Sequence, residues 1–244
     1  MTGSGGAAPP VLTPGDPAGI GAETALAAWL RRDAADVPPF VLLDDPARIA
    51  ALTAELGWEV PVRAVDGLDA TVSVFEAALP VLPHRFPAAV TPGTPDPANA
   101  AATIGAIERA VALTRAGAAG AVVTNPIAKH VLQAAGFAHP GHTEYLAELA
   151  AAPDGTVPQP VMMLAAPALR VVPLTVHVPL AEVPQRVTAE AITTTARITH
   201  TALHRDFAVT SPRIAVAGLN PHAGEHGRMG REEIDVIEPA LDTL

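Results

Sequence analysis

The run Ile214-Ala-Val-Ala-Gly-Leu219 is apolar without a break and stops at Asn220-Pro221. Small and β-branched residues with no polar alternation are the pattern of a strand covered on both faces of a parallel sheet. Three groups able to carry protons or bind a metal follow: His222, Glu225 and His226. Glycines 224, 227 and 230 keep that loop open, and an acid-rich helix is expected from about Arg231-Glu232-Glu233. In open α/β sheets the ligand crevice lies beyond the carboxyl ends of the strands. A His/Glu/Asn cluster there is therefore a candidate site on position alone.

Composition narrows the classes. The 244 residues are 49% hydrophobic and 16% charged, so a packed core is expected and a disordered polyelectrolyte is excluded. Aromatics are only 3%, which leaves packing to Ala, Val, Leu and Ile. A net charge of −10 argues against a general nucleic-acid binder or an anionic membrane surface, and an anionic substrate needs a local positive spot. The absence of cysteine removes disulfides and thiolate chemistry and fits a cytosolic protein. Met1–Pro10 has no basic or apolar signal-like region and reads as a floppy start, and no apolar stretch is long enough to span a membrane.

Along the chain, Val11-Leu12 opens a short strand into Thr13-Pro-Gly-Asp-Pro-Ala-Gly-Ile-Gly21, followed by a helix over 22–31. That layout can turn backbone N–H groups toward an anion, or be only a tight βα turn; the G-x-G-x-x-G dinucleotide spacing is absent. Strands are expected at 40–43 and 60–65 and a helix at 46–56. Prolines crowd residues 71–99, which reads as irregular chain or edge strands and as the place for a lobe boundary or hinge. Residues 98–115 form an amphipathic helix with Ile104, Ile107, Val111 and Thr114 on one face, closed by Gly117.

A buried strand, Ala121–Val123, then meets Thr124-Asn-Pro-Ile-Ala-Lys129, with Asn125 expected as N-cap and Pro126 as the first helical residue. Lys129 is the sole lysine and stands in a first helical turn, where the macrodipole disfavours a cation. It either points to solvent or binds one anion jointly with the helix N-terminus. His139-Pro-Gly-His-Thr-Glu144 opens the next helix, over 144–151; His142 and Thr143 are binding residues or merely loop and cap. Strands are expected at 161–164 and 170–178, a single long helix at 183–207, and a last helix from 232 to the end. His177, like His222, then falls at the end of a buried strand. Two imidazoles leave a catalytic metal site one ligand short of the usual three, with His226 or Glu225 of the same loop as candidates for the third. The H-E-x-x-H, G-x-S-x-G and P-loop patterns are all absent.

Five of these segments together are similar to the 4-hydroxythreonine-4-phosphate dehydrogenase family of pyridoxal-phosphate biosynthesis: 13–21, 124–129, Gly141-His-Thr-Glu144, Thr175-Val-His-Val-Pro179 and Leu219-Asn-Pro-His-Ala-Gly-Glu225. The resemblance follows the family's order across the whole chain. It implies a two-lobed α/β fold like isocitrate and isopropylmalate dehydrogenases, with mixed, mostly parallel sheets and helices on both faces. The lobes are expected at 1–120 and 121–244, in a homodimer whose active sites lie at the subunit junction. His142 and Thr143 match the family's substrate-binding pair, and His177 and His222 match two of its three metal-binding histidines. Lys129 is assigned to the substrate phosphate or to the reacting oxygen.

The chemistry so implied is NAD- or NADP-dependent oxidation of a phosphorylated amino alcohol, followed by decarboxylation. One divalent ion assists it; neutral imidazoles suit zinc, cobalt or nickel, and magnesium is also allowed. The segment of the third histidine, the later Lys, Asn and Arg that hold substrate, and the cofactor's Gly-rich segment have no match here. His226 has no counterpart. The chain ends as if in mid-helix, Glu238-Pro-Ala-Leu-Asp-Thr-Leu244, and reads as lacking the family's C-terminal part. Two other readings stand beside this one: a sister dehydrogenase of threonate or erythronate 4-phosphate, and a non-catalytic metal- or phosphate-binding remnant.

Overall fold

In a computed structural model of the chain, residues 8–139 and 141–244 are described. The start at residues 1–7, and Pro140 within the His139–Glu144 segment, lie outside them. The chain divides into two units, Met1–Pro158 and Gln159–Leu244. The lobes implied by the family resemblance divide at 120/121.

The first unit alternates strand and helix: β1 (Val11–Leu12), α1 (Gly21–Leu30), β2 (Val41–Asp44), α2 (Pro46–Leu56), β3 (Val62–Ala64), α3 (Thr71–Phe75), β4 (Leu79–Pro83), α4 (Ala100–Arg115), β5 (Val122–Val123), α5 (Lys129–Ala134) and α6 (His142–Leu149). All five strands are parallel, in the order β3-β4-β2-β1-β5. Side-chain alternation splits the apolar strands between two cores. Leu12, Leu42, Leu79 and Val81 pack with Ala22, Leu26 and Trp29 of α1 and Ile49 of α2. Val11, Val41, Leu43 and Leu82 face the other way, with Ala110 of α4. Leu26, Leu42, Leu43 and Leu79 are 0% exposed, and each such burial contributes about 1.5–3 kcal/mol relative to exposure.

Local signals explain the elements that match expectation. Asp45 caps α2 by accepting the Ala47 N–H, Pro46 occupies its first turn, and Gly57 ends it in a left-handed conformation at φ 65°. Three readings need correction. Residues 71–99 are not irregular throughout, since α3 and the interior strand β4 lie there. Residues of β4 facing β3 are odd-numbered, because Leu79 donates to Pro61 and Val81 accepts from Val65. Pro80 therefore aims its missing donor at β2, before pairing there begins at Val81, and Pro83 aims its own at β3, after pairing there has ended. Nor is β5 a buried strand: it edges the sheet among the described residues, and Val123 is 45% exposed. Finally, α5 starts at Lys129 rather than at Pro126.

The second unit contains an antiparallel pair, β6 (Leu164–Ala166) and β7 (Leu169–Val171), then α7 (Val183–Arg186), α8 (Ala189–Arg205), a π-helical stretch Glu233–Ile237 and α9 (Glu238–Leu241). Val187, Ile192, Ile237 and Ala240 form its core, with Leu174, Val183 and Leu219 packed against it. The expected single helix over 183–207 is two helices. Thr188 adopts an extended conformation and accepts the Ala191 N–H through its hydroxyl, restarting the helix as its N-cap. Residues 172–178 and 214–219 are not strands, which overturns the expectation for both histidine-bearing segments. Ile214 and Val216 are 41% and 40% exposed. An apolar run becomes a strand only against a partner, and among the described residues neither run has a ladder.

Candidate active site

In the first unit the chain leaves β1 toward β2 on one side and later adds β5 on the other. The sheet order thus reverses at the β1/β5 pair, and the crevice beyond their carboxyl ends is where this architecture binds ligands. Two turns meet there, 13–20 and 124–128. Asn125 is buried, and its side-chain amide donates to the Thr13 carbonyl at 2.9 Å while the Asp16 N–H donates to the Pro126 carbonyl at 2.9 Å. This is why Asn125 does not cap a helix: its side chain is used between turns. Gly15, at φ 71°, sits so close that a Cβ would collide with the Pro126 carbonyl. Arg48 adds a third tie, donating to both carboxylate oxygens of the fully buried Asp44 at the end of β2 and to the Pro17 carbonyl at 3.3 Å.

Lys129 opens α5 directly after the second turn and is exposed. Its ammonium comes beside Gly141, 3.5 Å from where a Cβ would stand. His142, the first residue of α6, is next to it. His142 Nε2 is buried and has no hydrogen-bond partner among the described residues. Burial, with the Lys129 charge second, holds this imidazole below its ordinary pKa of 6.5. Thr143 is exposed, and it is the second residue of the helix rather than its cap. Tyr145 anchors α6 by donating to Glu108 at 2.7 Å and packing edge-on against Phe137 at 4.9 Å. The Tyr145 hydroxyl is pushed well above its usual pKa by burial and by Glu108.

A titration checks this geometry. The His142 ring resonance shifts with a midpoint below 6.5, and Lys129→Ala raises that midpoint part of the way, since burial remains. In the window just under 6.5 the unfolded chain binds the proton and the folded chain does not, so acidification through it destabilises the fold. A midpoint at or above 6.5 would contradict the arrangement.

His177 and His222 lie in the second unit. Both are exposed and in irregular chain, not at strand ends as expected. His177 has φ 55°. His222 Nδ1 lies 3.2 Å from Glu225 Oε1, with both side chains largely exposed, and imidazole nitrogens are ordinary ligands for borderline divalent ions. The donor chemistry therefore suits a borderline divalent ion, although no three His, Cys, Asp or Glu side chains converge among the described residues. Glu233 escapes sequence reasoning altogether. It reads as a solvated acid in a first helical turn, yet it is 7% exposed and accepts the Asn220 N–H.

The model of the family described as pyridoxal phosphate biosynthetic protein PdxA matches residues 36–244. A 4-hydroxythreonine-4-phosphate dehydrogenase of Methylorubrum populi is 54% identical over 238 residues, covering 97% of this chain and 68% of that protein. One from Bradyrhizobium diazoefficiens is 52% identical over 246 residues, covering 98% and 71%. The chain belongs to the PdxA family. A crystal structure of the Klebsiella pneumoniae 4-hydroxythreonine-4-phosphate dehydrogenase superposes with a TM-score of 0.82 at 30% identity, over 97% of this chain and 71% of that one. The PdxA chain thus has the isocitrate/isopropylmalate dehydrogenase-like α/β fold and is an oxidoreductase of the dehydrogenase type. No helix among the described residues is long and apolar enough to cross a membrane.

Proposed function

We propose that this chain oxidises 4-phosphooxy-L-threonine with NAD or NADP and decarboxylates the product to 3-amino-2-oxopropyl phosphate, in pyridoxal 5'-phosphate biosynthesis, as a cytosolic homodimer. The observation that carries this reading is the Lys129–His142 pair beside the β1/β5 crevice, in a chain 54% identical to a protein of that name. Lys129 binds the substrate phosphate or the reacting oxygen, and supplies the local positive charge that a chain of net charge −10 needs for an anionic ligand. His142 stays neutral near pH 7, so its unpartnered Nε2 is available to the substrate. The Thr143 hydroxyl, exposed one residue on, gives a second polar contact.

The alcohol carbon gives up a hydride and its oxygen a proton. The resulting β-keto acid then loses carbon dioxide, and the electron pair of the broken C–C bond is protonated. The nicotinamide, when bound, accepts the hydride, and a divalent ion such as zinc, cobalt or magnesium polarises the alcohol oxygen. His177 and His222 would hold that ion. No residue of this chain is assigned to the nicotinamide.

Reduced-cofactor absorbance tests the reading. The chain is supplied with zinc, cobalt or magnesium and offered 4-phosphooxy-L-threonine, threonate 4-phosphate and erythronate 4-phosphate in turn. Turnover of the amino substrate is expected. Turnover of the sugar acids alone would transfer the chain to a sister activity, and silence with all three would make it a non-catalytic binding module.

A further inference from the structure

The loop that presents His222 has an unusual backbone. Ala223, Glu225 and His226 all have positive φ, at 49°, 44° and 56°, without being glycine. Such residues are strained, and they persist only where the surroundings over-determine them. The determinant here is a side chain from outside the loop. Glu233 Oε1 accepts the Asn220 N–H at 3.0 Å. Asn220 in turn accepts the His222 N–H at 2.8 Å through Oδ1, and donates through Nδ2 to the Met229 carbonyl at 2.9 Å. One carboxylate thus fixes the residue that clamps both sides of the loop.

The other carboxylate oxygen lies under the loop. Glu233 Oε2 is buried and has no hydrogen-bond partner among the described residues. It reaches to 3.0 Å from where a Cβ on Gly224 would stand, and Gly224, at φ 67°, is itself buried. Any side chain at 224 would press on that oxygen. Hydrogen bonds from backbone N–H groups, that of Asn220 first, keep Glu233 ionised below the ordinary carboxylate range.

We propose that Glu233 is a positioning residue for His222, acting through Asn220, which accepts the His222 backbone N–H, to hold the loop that presents the imidazole. This rests on the reading of His222 as a metal ligand. It adds an outer tier to that ligand, one from which removal of a member typically weakens metal binding about 10- to 100-fold.

The test uses the full chain and cobalt(II), followed by titration calorimetry and by the visible absorption of the bound ion. The variants are His222→Ala, Glu233→Ala and Glu233→Gln, each checked for folding by circular dichroism. His222→Ala should abolish the cobalt spectrum; if it does not, the metal reading fails and the positioning role with it. Glu233→Ala should weaken cobalt binding about tenfold and alter the band shape, and Glu233→Gln, which keeps an acceptor for Asn220, should restore most of both. Wild-type cobalt binding in Glu233→Ala, beside loss in His222→Ala, would overturn the positioning role alone. Should Glu233→Ala fail to fold, hydrogen exchange in the unmodified protein decides: the Asn220 amide should be protected, and exchange at the open-chain rate would overturn the proposal.

Discussion

Replacing Arg48 by alanine lowers the unfolding free energy by about 3–5 kcal/mol, because it leaves a buried carboxylate without its counter-charge. Asp44 is 0% exposed at the end of β2; burial raises its pKa, and the two donors from Arg48 and the Asp45 N–H at 2.7 Å oppose that rise. For a chain of this size such a loss lowers the melting temperature by on the order of 10 °C. The paired change Asp44→Leu with Arg48→Met should recover most of the deficit, since apolar replacement of a buried ion pair is often neutral or better. Denaturant melts of the three proteins check this. A loss under about 1 kcal/mol in Arg48→Ala would mean that the pair is solvated in practice. Arg48 also holds the Pro17 carbonyl, so the single variant should loosen the first crevice turn as well.

Lys129→Ala is expected to leave stability nearly untouched, because the side chain is exposed. Its effect should fall on turnover. A charged hydrogen bond to an anionic substrate is worth about 1.5–3 kcal/mol, so kcat/KM should drop roughly 10- to 100-fold. The split between constants identifies the partner: a raised KM alone assigns the ammonium to the phosphate, and a lowered kcat assigns it to the reacting oxygen. Lys129→Arg should rescue part of the loss if the partner is the phosphate, onto which a guanidinium forks, and little if it is the reacting oxygen, where a compact point charge is needed. Wild-type kinetics in Lys129→Ala would remove the residue from the site.

The elements legible in the sequence are those written by local chemistry. The cap, proline and terminal glycine of α2 lie within or beside the helix they bound, and its limits follow from them. Strand pairing is written nowhere locally. Ile214–Leu219 has the composition of a buried strand but no partner among the described residues, while Leu79–Pro83 looks broken by prolines yet is interior. Asn125 is misread for the same reason. Its preference for a cap is real, but the Thr13 carbonyl, distant in sequence, takes its side chain.

At the candidate site the residue types were readable and their adjacency was not. Lys129 stands out as the sole lysine, and His142 as part of a short polar segment. Only the folded chain buries the imidazole and sets the ammonium beside it, which in that order hold its pKa below the ordinary value. Glu233 carried no signal, because the backbone amide it holds lies in a different element, reached only through the tertiary fold.

The two prolines of β4 bear on how the sheet assembles. Every residue from Leu79 to Pro83 is apolar, so side-chain character offers no penalty against sliding the strand by two positions, the shift that leaves each residue on its own face. Sliding one way would carry Pro80 into the slot of Leu82, and sliding the other would carry Pro83 into that of Val81; either removes an amide from a rung that needs one. The pair acts as a key cut for a single alignment, rejecting the mispaired sheets that hydrophobicity would tolerate.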